Sequence, residues 1–363
     1  MEKIRAFLKR KDIVFSGKRY FIDAMSAMAQ GLFCTLLVGT ILNTLGTQFN
    51  IGFLKAIIVT LGQGEGATTY TIGGLCSAMV GPGMAVAIAH ALKAPPMVLF
   101  SMIPVGFAAN AMGGAGGPLA VFFVAIVAAE LGKVVSKETK IDILVTPLVT
   151  ILSGVGFAAL VAAPIGTAAS AVGDFIMWAT ELQPFFMGII VSVVIGVALT
   201  LPISSAAICA ALGLTGLAGG AAVAGCCAQM IGFAVMSYRE NRMGGLVAQG
   251  LGTSMLQMGN IVKNPRIWIP PTLASAITGP IATCVFHLEM NGAPISSGMG
   301  TCGLVGQIGV ITGWANDPTA GTVMDWVGLV LICFILPAVL TWLLAWPLRR
   351  CGWIKENDLK LDI

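Results

Sequence analysis

Charge is scarce in this sequence. Only 10% of its 363 residues are Asp, Glu, Lys or Arg, against about 25% in soluble domains. With 57% hydrophobic residues and a mean hydropathy of +0.92, the chain has too little polar surface to face water. It reads as a polytopic membrane protein. Histidine is scarce too: His90 and His287 are too far apart in sequence to argue for a metal site. Nine cysteines are present, but none forms a CxxC or another metal spacing, and they read as small buried hydrophobes. No nucleophile–base pair is visible. No self-contained catalytic site and no cofactor are therefore expected, and a net charge of +4 carries no argument for nucleic acid.

Apolar runs fill the rest. At roughly 20 residues per spanning helix, the length allows about ten transmembrane helices, an all-α fold. Residues 1–20 form a basic, interfacial head. Seven basic residues precede Phe21 (Lys3, Arg5, Lys9, Arg10, Lys11, Lys18, Arg19), so the positive-inside rule puts the N-terminus in the cytoplasm. Arg349, Arg350 and Lys355 put the C-terminus there as well, which requires an even number of crossings. No cleavable leader is expected. Spans are predicted over 24–45, 97–111, 117–132, 144–166 and about 326–346, with a weaker apolar segment over 51–61. A glycine-rich stretch around Glu65 reads as a packing face or a kinked span. Residues 167–183 look amphipathic, a helix along an interface. The loops 133–142 and 237–245 carry Lys or Arg and read as cytoplasmic. The loop 316–325 has none and suits the outer face.

The stretch 252–313 is the unusual one. It is apolar enough for membrane depth, yet Gly, Pro, Ser, Thr, Asn and Gln interrupt it every few residues. Irregular backbone at that depth is tolerated only where it is buried in protein or lines a wet cavity, and broken hydrophobic segments point to a transporter's binding site. Gln257 and Asn260, three apart, share a face if helical. Amides donate to and accept from a neutral polyol, so they are the leading substrate-contact pair, with interhelical bonding as the rival reading. Ser254 precedes them. The run 292–307 reads as a hairpin tip, with Ser296, Ser297 and Thr301 as polar contacts. Ser204 and Ser205 mark a second break, after Pro202. Glu289, followed by the Asn291-Gly292 turn, has two readings: deep and proton-coupled, or at the membrane edge. Five tryptophans, Trp268, Trp326, Trp342, Trp346 and Trp353, suit interfacial belts. Ser204, Gln257, Glu289 and Ser297 are expected to converge on one pocket.

The order of parts from GGAGGPLAVFF to AVGDFIMW, and the later KNPRIWIPPTLASAITGPI, resembles the EIIC membrane subunit of bacterial phosphotransferase-system sugar transporters. The match is to the fructose-like branch, and within it to the stand-alone group that includes a perfringolysin O regulator. The resemblance implies a homodimer in the inner membrane, with re-entrant hairpins around the sugar and an elevator motion. A separate EIIB partner would supply phosphate. It implies scaffold helices over 21–166, the amphipathic connection over 167–183, a substrate-binding transport domain over 184–346 and a cytoplasmic tail over 347–363. Two departures bear on function. The branch's Gly-Gly-Pro-Val-Asn-Lys element reads LPISSAA here, and its Ile-Thr-Glu-Gly signature reads GTSMLQMGNI, without the glutamate. The expected function is transport of a small polar solute such as a sugar, without phosphorylation. A membrane sensor signalling to a cytoplasmic partner and an ordinary EIIC subunit are the alternatives.

Overall fold

A computed structural model describes residues 2–62, 67–315 and 320–361. Glu65 and the first part of the 316–325 loop lie outside the described residues. The chain divides into two compact units, Met1–Ala168 and Ala169–Ile363, and nearly every element is helical.

The first unit opens with α1 (Glu2–Arg10), with Lys9 and Arg10 in its last turn. The long α2 follows (Lys18–Thr47). The weak apolar segment at 51–61 is not a span. It forms one short helical turn, Gly52–Lys55, and then strand β1 (Val59–Leu61), antiparallel to β2 (Thr68–Tyr70). Ile57, Ile58 and Thr60 explain the outcome, because branched side chains favour extended backbone and the run is too short to cross a bilayer. Helices α3 (Ile72–Ala78) and α4 (Val80–Ala91) meet at a 52° bend. Helices α5 (Pro96–Gly113) and α6 (Gly117–Val135) fold back on each other across Gly114–Gly116, so that Gly132 lies against Val98.

The sequence places Lys133 in the basic loop 133–142. It lies instead in the last turn of α6, 1% exposed. Its Nζ donates to the carbonyls of Asp12 (2.8 Å) and Leu92 (3.0 Å) and pairs with Glu130 at 3.1 Å. An ammonium that deep requires such partners. Arg19 holds the Asp12 carboxylate at 2.7 Å, and Arg10 holds Glu138 at 2.7 Å. Together these contacts tie the N-terminal segment to the end of α6.

Helix α7 (Asp142–Thr180) is unbroken. The expected separate helix over 167–183 is therefore continuous with the preceding span. Pro164 removes one backbone donor without ending the helix. The boundary between the two units falls inside α7.

In the second unit α8 (Pro184–Thr200), α10 (Gly216–Met236) and α13 (Ile269–Pro280) pack pairwise. Helix α9 (Ser205–Ala211) lies between the first two in sequence. Small residues bring these backbones together, as in membrane helix pairs generally. A Cβ on Gly225 of α10 would sit 1.9 Å from the Ser192 carbonyl oxygen of α8. Ser192 Oγ donates to the Ser275 carbonyl at 2.8 Å, which closes the triangle. The segment 237–245, read as a loop, belongs to helix α11 (Tyr238–Val247), kinked at Arg242 with φ +52. Helices α12 (Met258–Lys263), α14 (Val305–Ala315) and α15 (Val323–Arg350) complete the unit.

Five helical stretches among the described residues are long and apolar enough to cross a membrane, or six if α3 and α4 form one bent span. The doubled-back α5–α6 is one of the five. The shorter apolar helices α8 and α14 fall below that length.

Candidate functional site

Three interruptions of the second unit turn inward. The first follows α8. Leu201 is extended, and Ser204 caps α9 by accepting from the Ala207 N–H at 3.2 Å. The second runs through Thr253–Gln257, a 3₁₀ turn whose cap, Thr253, accepts from the Met255 N–H. The third is the tip at Pro294–Leu304, two 3₁₀ turns joined at Gly300. Residues 252–260 are all buried, as are Ser205, Ser296, Ser297 and Thr301.

Each side chain predicted for the site has a definite place. Ser205 Oγ donates to the Gly298 carbonyl at 2.7 Å, which joins the first break to the tip. Ser297 Oγ donates to the Leu214 carbonyl at 2.7 Å, and Thr301 Oγ1 donates to the Met230 sulfur at 3.5 Å. Ser254 Oγ lies 2.8 Å from Thr200 Oγ1, joining the second break to the end of α8.

Gln257 and Asn260 do share one side of their segment and belong to a ladder. Gln249 donates to Ser237 Oγ (2.8 Å), Gln257 to Gln249 Oε1 (2.8 Å), and Asn260 to Gln257 Oε1 (2.9 Å). The C-terminal tail closes the ladder. Gln257 and Asn260 also donate to the carbonyls of Leu359 (3.0 Å) and Lys360 (2.8 Å). Asn241 also holds the tail, donating to the Leu359 carbonyl and accepting from the Leu361 N–H.

Glu289 and Asn291 lie apart from this network. Both are exposed, and the Asn291 amide donates to Glu289 Oε2 at 2.8 Å while accepting from the Gly216 N–H. Glu289 is thus exposed beside the Asn291-Gly292 turn, with Asn291 as its hydrogen-bond partner. Ser204, Gln257 and Ser297 stand on interruptions linked by hydrogen bonds, and Glu289 does not join them. The neighbouring backbone is pinned nonetheless. Gly216 and Met290 exchange both backbone hydrogen bonds at 3.0 Å. A Cβ on Gly220 would sit 1.7 Å from the Leu288 carbonyl oxygen.

Sequence reasoning passed over the centre of the network. Gln229, fully buried midway along α10, accepts from Trp268 Nε1 (2.9 Å) and Thr200 Oγ1 (3.3 Å). It donates to Thr272 Oγ1 (3.3 Å). A single amide inside CCAQMIGF was the available signal, since a polar group at that depth needs partners. Trp268, expected in an interfacial belt, points inward to Gln229. Gln307 was missed as well. Its Nε2 donates to the Cys227 sulfur at 3.2 Å, while its Oε1 is buried with no hydrogen-bond partner among the described residues.

The geometry is thus a set of neutral amides and hydroxyls at membrane-protein breaks, the chemistry that reads a polyol. Across residues 22–361 the chain matches a family model described as Phosphotransferase system, EIIC. No curated protein and no solved structure matches it. The match spans nearly the whole chain, so this protein belongs to the phosphotransferase-system EIIC family and is a multi-pass membrane component of bacterial sugar transport.

Proposed function

We propose that this chain carries an unmodified sugar across the membrane without phosphorylating it, on an EIIC scaffold of the fructose-like branch. The second unit would hold the sugar and move it in an elevator motion. The first unit would serve as the stationary scaffold and homodimer contact. One observation supports this reading above the others: the side chains buried at the three interruptions, from Ser205 and Ser254 through Gln257 and Asn260 to Ser297 and Thr301, are all neutral hydrogen-bonding groups, with one cation, Lys263, at the outer end on Asn260 Oδ1. An unpartnered acceptor, Gln307 Oε1, is buried on α14, where the preceding residue, Gly306, packs against Gly300 of the tip. Buried polar atoms are normally paired, so that oxygen is suited to receive a sugar hydroxyl. The family's carboxylate has no counterpart there, and Glu289 is exposed.

The test is uptake of labelled hexoses into proteoliposomes containing only this chain. Accumulation to equilibrium of unmodified sugar, without EIIB or phosphate donor, is expected. Uptake that starts only when EIIB and a phosphate donor are supplied would restore the ordinary phosphotransferase role. Saturable binding with no flux would instead assign a sensor. Gln307→Leu should weaken sugar binding by roughly 5- to 30-fold, the loss of one or two hydrogen-bonding kcal/mol. Unchanged affinity would move the site elsewhere.

A further inference from the structure

The C-terminal end of α15 carries chemistry that sugar transport does not use. Val339, Trp342, Leu343 and Trp346 are all large, apolar and exposed. Their spacing of three, four and seven places them on one stripe, and Arg350 continues it one turn on. The Arg350 guanidinium lies 3.7 Å from the centre of the Trp346 ring. Beside the stripe is a cavity of about 560 Å³, walled by Val235 of α10, Leu246 of α11, Trp342 and Trp346, with Arg239 and Arg350 at its edge. Arg239 and Arg349 also wall a second, mixed-charge cavity of about 370 Å³, which Lys360, Glu240 and Glu356 share. Arg349 is neutralised by Glu240 at 3.0 Å. Arg239 and Arg350 are exposed and have no acidic partner among the described residues.

A groove that is apolar along its length and cationic at one end matches a single class of molecule. Water alone would leave two tryptophans wetted. A second apolar protein surface would leave two arginines unmatched. An anionic phospholipid meets both needs: its acyl chain covers the stripe and its phosphate meets the guanidinium groups. Basic pockets between membrane helices bind such headgroups, and tryptophan favours that depth. The geometry points to a specific site for an anionic phospholipid of the phosphatidylglycerol type, between α10–α11 and the end of α15. Arg239 and Arg350 hold the headgroup, and Trp342 and Trp346 line the chain.

Native mass spectrometry of the full chain in non-ionic detergent tests this, with phosphatidylglycerol, phosphatidylcholine and glycerol phosphate added separately. A first phosphatidylglycerol adduct is expected that phosphatidylcholine does not displace at equal concentration and glycerol phosphate does not mimic. In Arg239→Ala with Arg350→Ala that adduct should weaken roughly 30-fold, at about one kcal/mol per arginine. It should survive in Arg239→Lys with Arg350→Lys. It should also survive in Lys137→Ala with Lys140→Ala, which removes the same charge in the first unit. Equal binding of both lipids, full competition by glycerol phosphate, or an unweakened adduct in the double alanine variant would each overturn the assignment. Both arginines are exposed, and a thermal unfolding curve of each variant confirms that the fold is intact.

Discussion

At the scale of single residues the second unit depends on groups that fill small, fully determined places. Gln229 is bound through both ends of its amide to three other elements. Gln229→Leu keeps the volume but leaves the Trp268 N–H without its acceptor and removes the amide's bonds to Thr200 and Thr272. The expected loss is about 1–3 kcal/mol per stranded buried group, measured as a lowered thermal unfolding midpoint in detergent. A midpoint equal to that of the parent chain would show that the network tolerates rearrangement. Gly225→Ala is a sharper case. Its new methyl would overlap the Ser192 carbonyl oxygen, a backbone atom with no rotamer to yield. Overpacking ordinarily costs about 1–3 kcal/mol, and here the cost should reach the top of that range, read as reduced yield of monodisperse protein. The hydroxyls and amides of the breaks were legible in the sequence because polar residues interrupt apolar text. The inward turn of Trp268 was not, since a tryptophan at the end of a span suits a belt and a core equally. It is the partner, Gln229, that decides.

At the scale of elements the N-terminal attachment and the tail are the informative pieces. The hydrogen bond from Arg19 holds the Asp12 carboxyl below the ordinary aspartate value, with burial opposing it only in part. A depressed acid stabilises the fold above its unfolded value of about 3.9. That contribution is lost as pH falls through the lower folded value. Backbone amides of residues 8–13 should therefore exchange more quickly at pH 3 than the intrinsic rate change explains. Asp12→Asn should show the faster exchange already at neutral pH, and protection unchanged by the substitution would remove the role given to this pair. For the tail, Leu359 is fully buried, and Leu359→Ala should cost about 2–5 kcal/mol locally, as buried Leu-to-Ala changes do. It should free residues 352–361 to limited proteolysis at a protease concentration that leaves the parent chain whole. Equal resistance would mean the backbone bonds suffice. Neither attachment could be read from sequence. Asp12 with Lys133, and Asn241 with Leu361, lie more than a hundred positions apart, and periodicity carries no such pairing. The unbroken α7 eluded sequence reading for a different reason: its pattern changes from uniformly apolar to two-sided at 167 while its backbone hydrogen bonding continues.

At the scale of the whole molecule the membrane class followed from composition alone, because 10% charge cannot cover a soluble surface. The all-α architecture followed from run length. Helix counting was harder. Where glycine and proline break a run, length no longer tells a crossing from a bend, as at α3–α4 and along 252–304. The same breaks carry the candidate site, so the part of the fold least regular in its text is the part with most to say about transport. If the second unit moves as one body, distances inside it should persist between states. Spin labels on α8 and α13, at Val193 and Ala276, should give one narrow distance distribution with and without sugar. A broad or sugar-dependent distribution would mean that the triangle of α8, α10 and α13 deforms during the cycle.

Both hydrogens of the Gln257 amide, and both of Asn260, are taken by protein acceptors, two of them on the tail. These two amides therefore have no hydrogen left to donate, and the Lys263 ammonium lies 3.4 Å from Asn260 Oδ1 at the end of the ladder. The tail thereby becomes a structural part of the turn at Ser254–Gln257: whatever loosens it leaves two buried amides short of an acceptor at once.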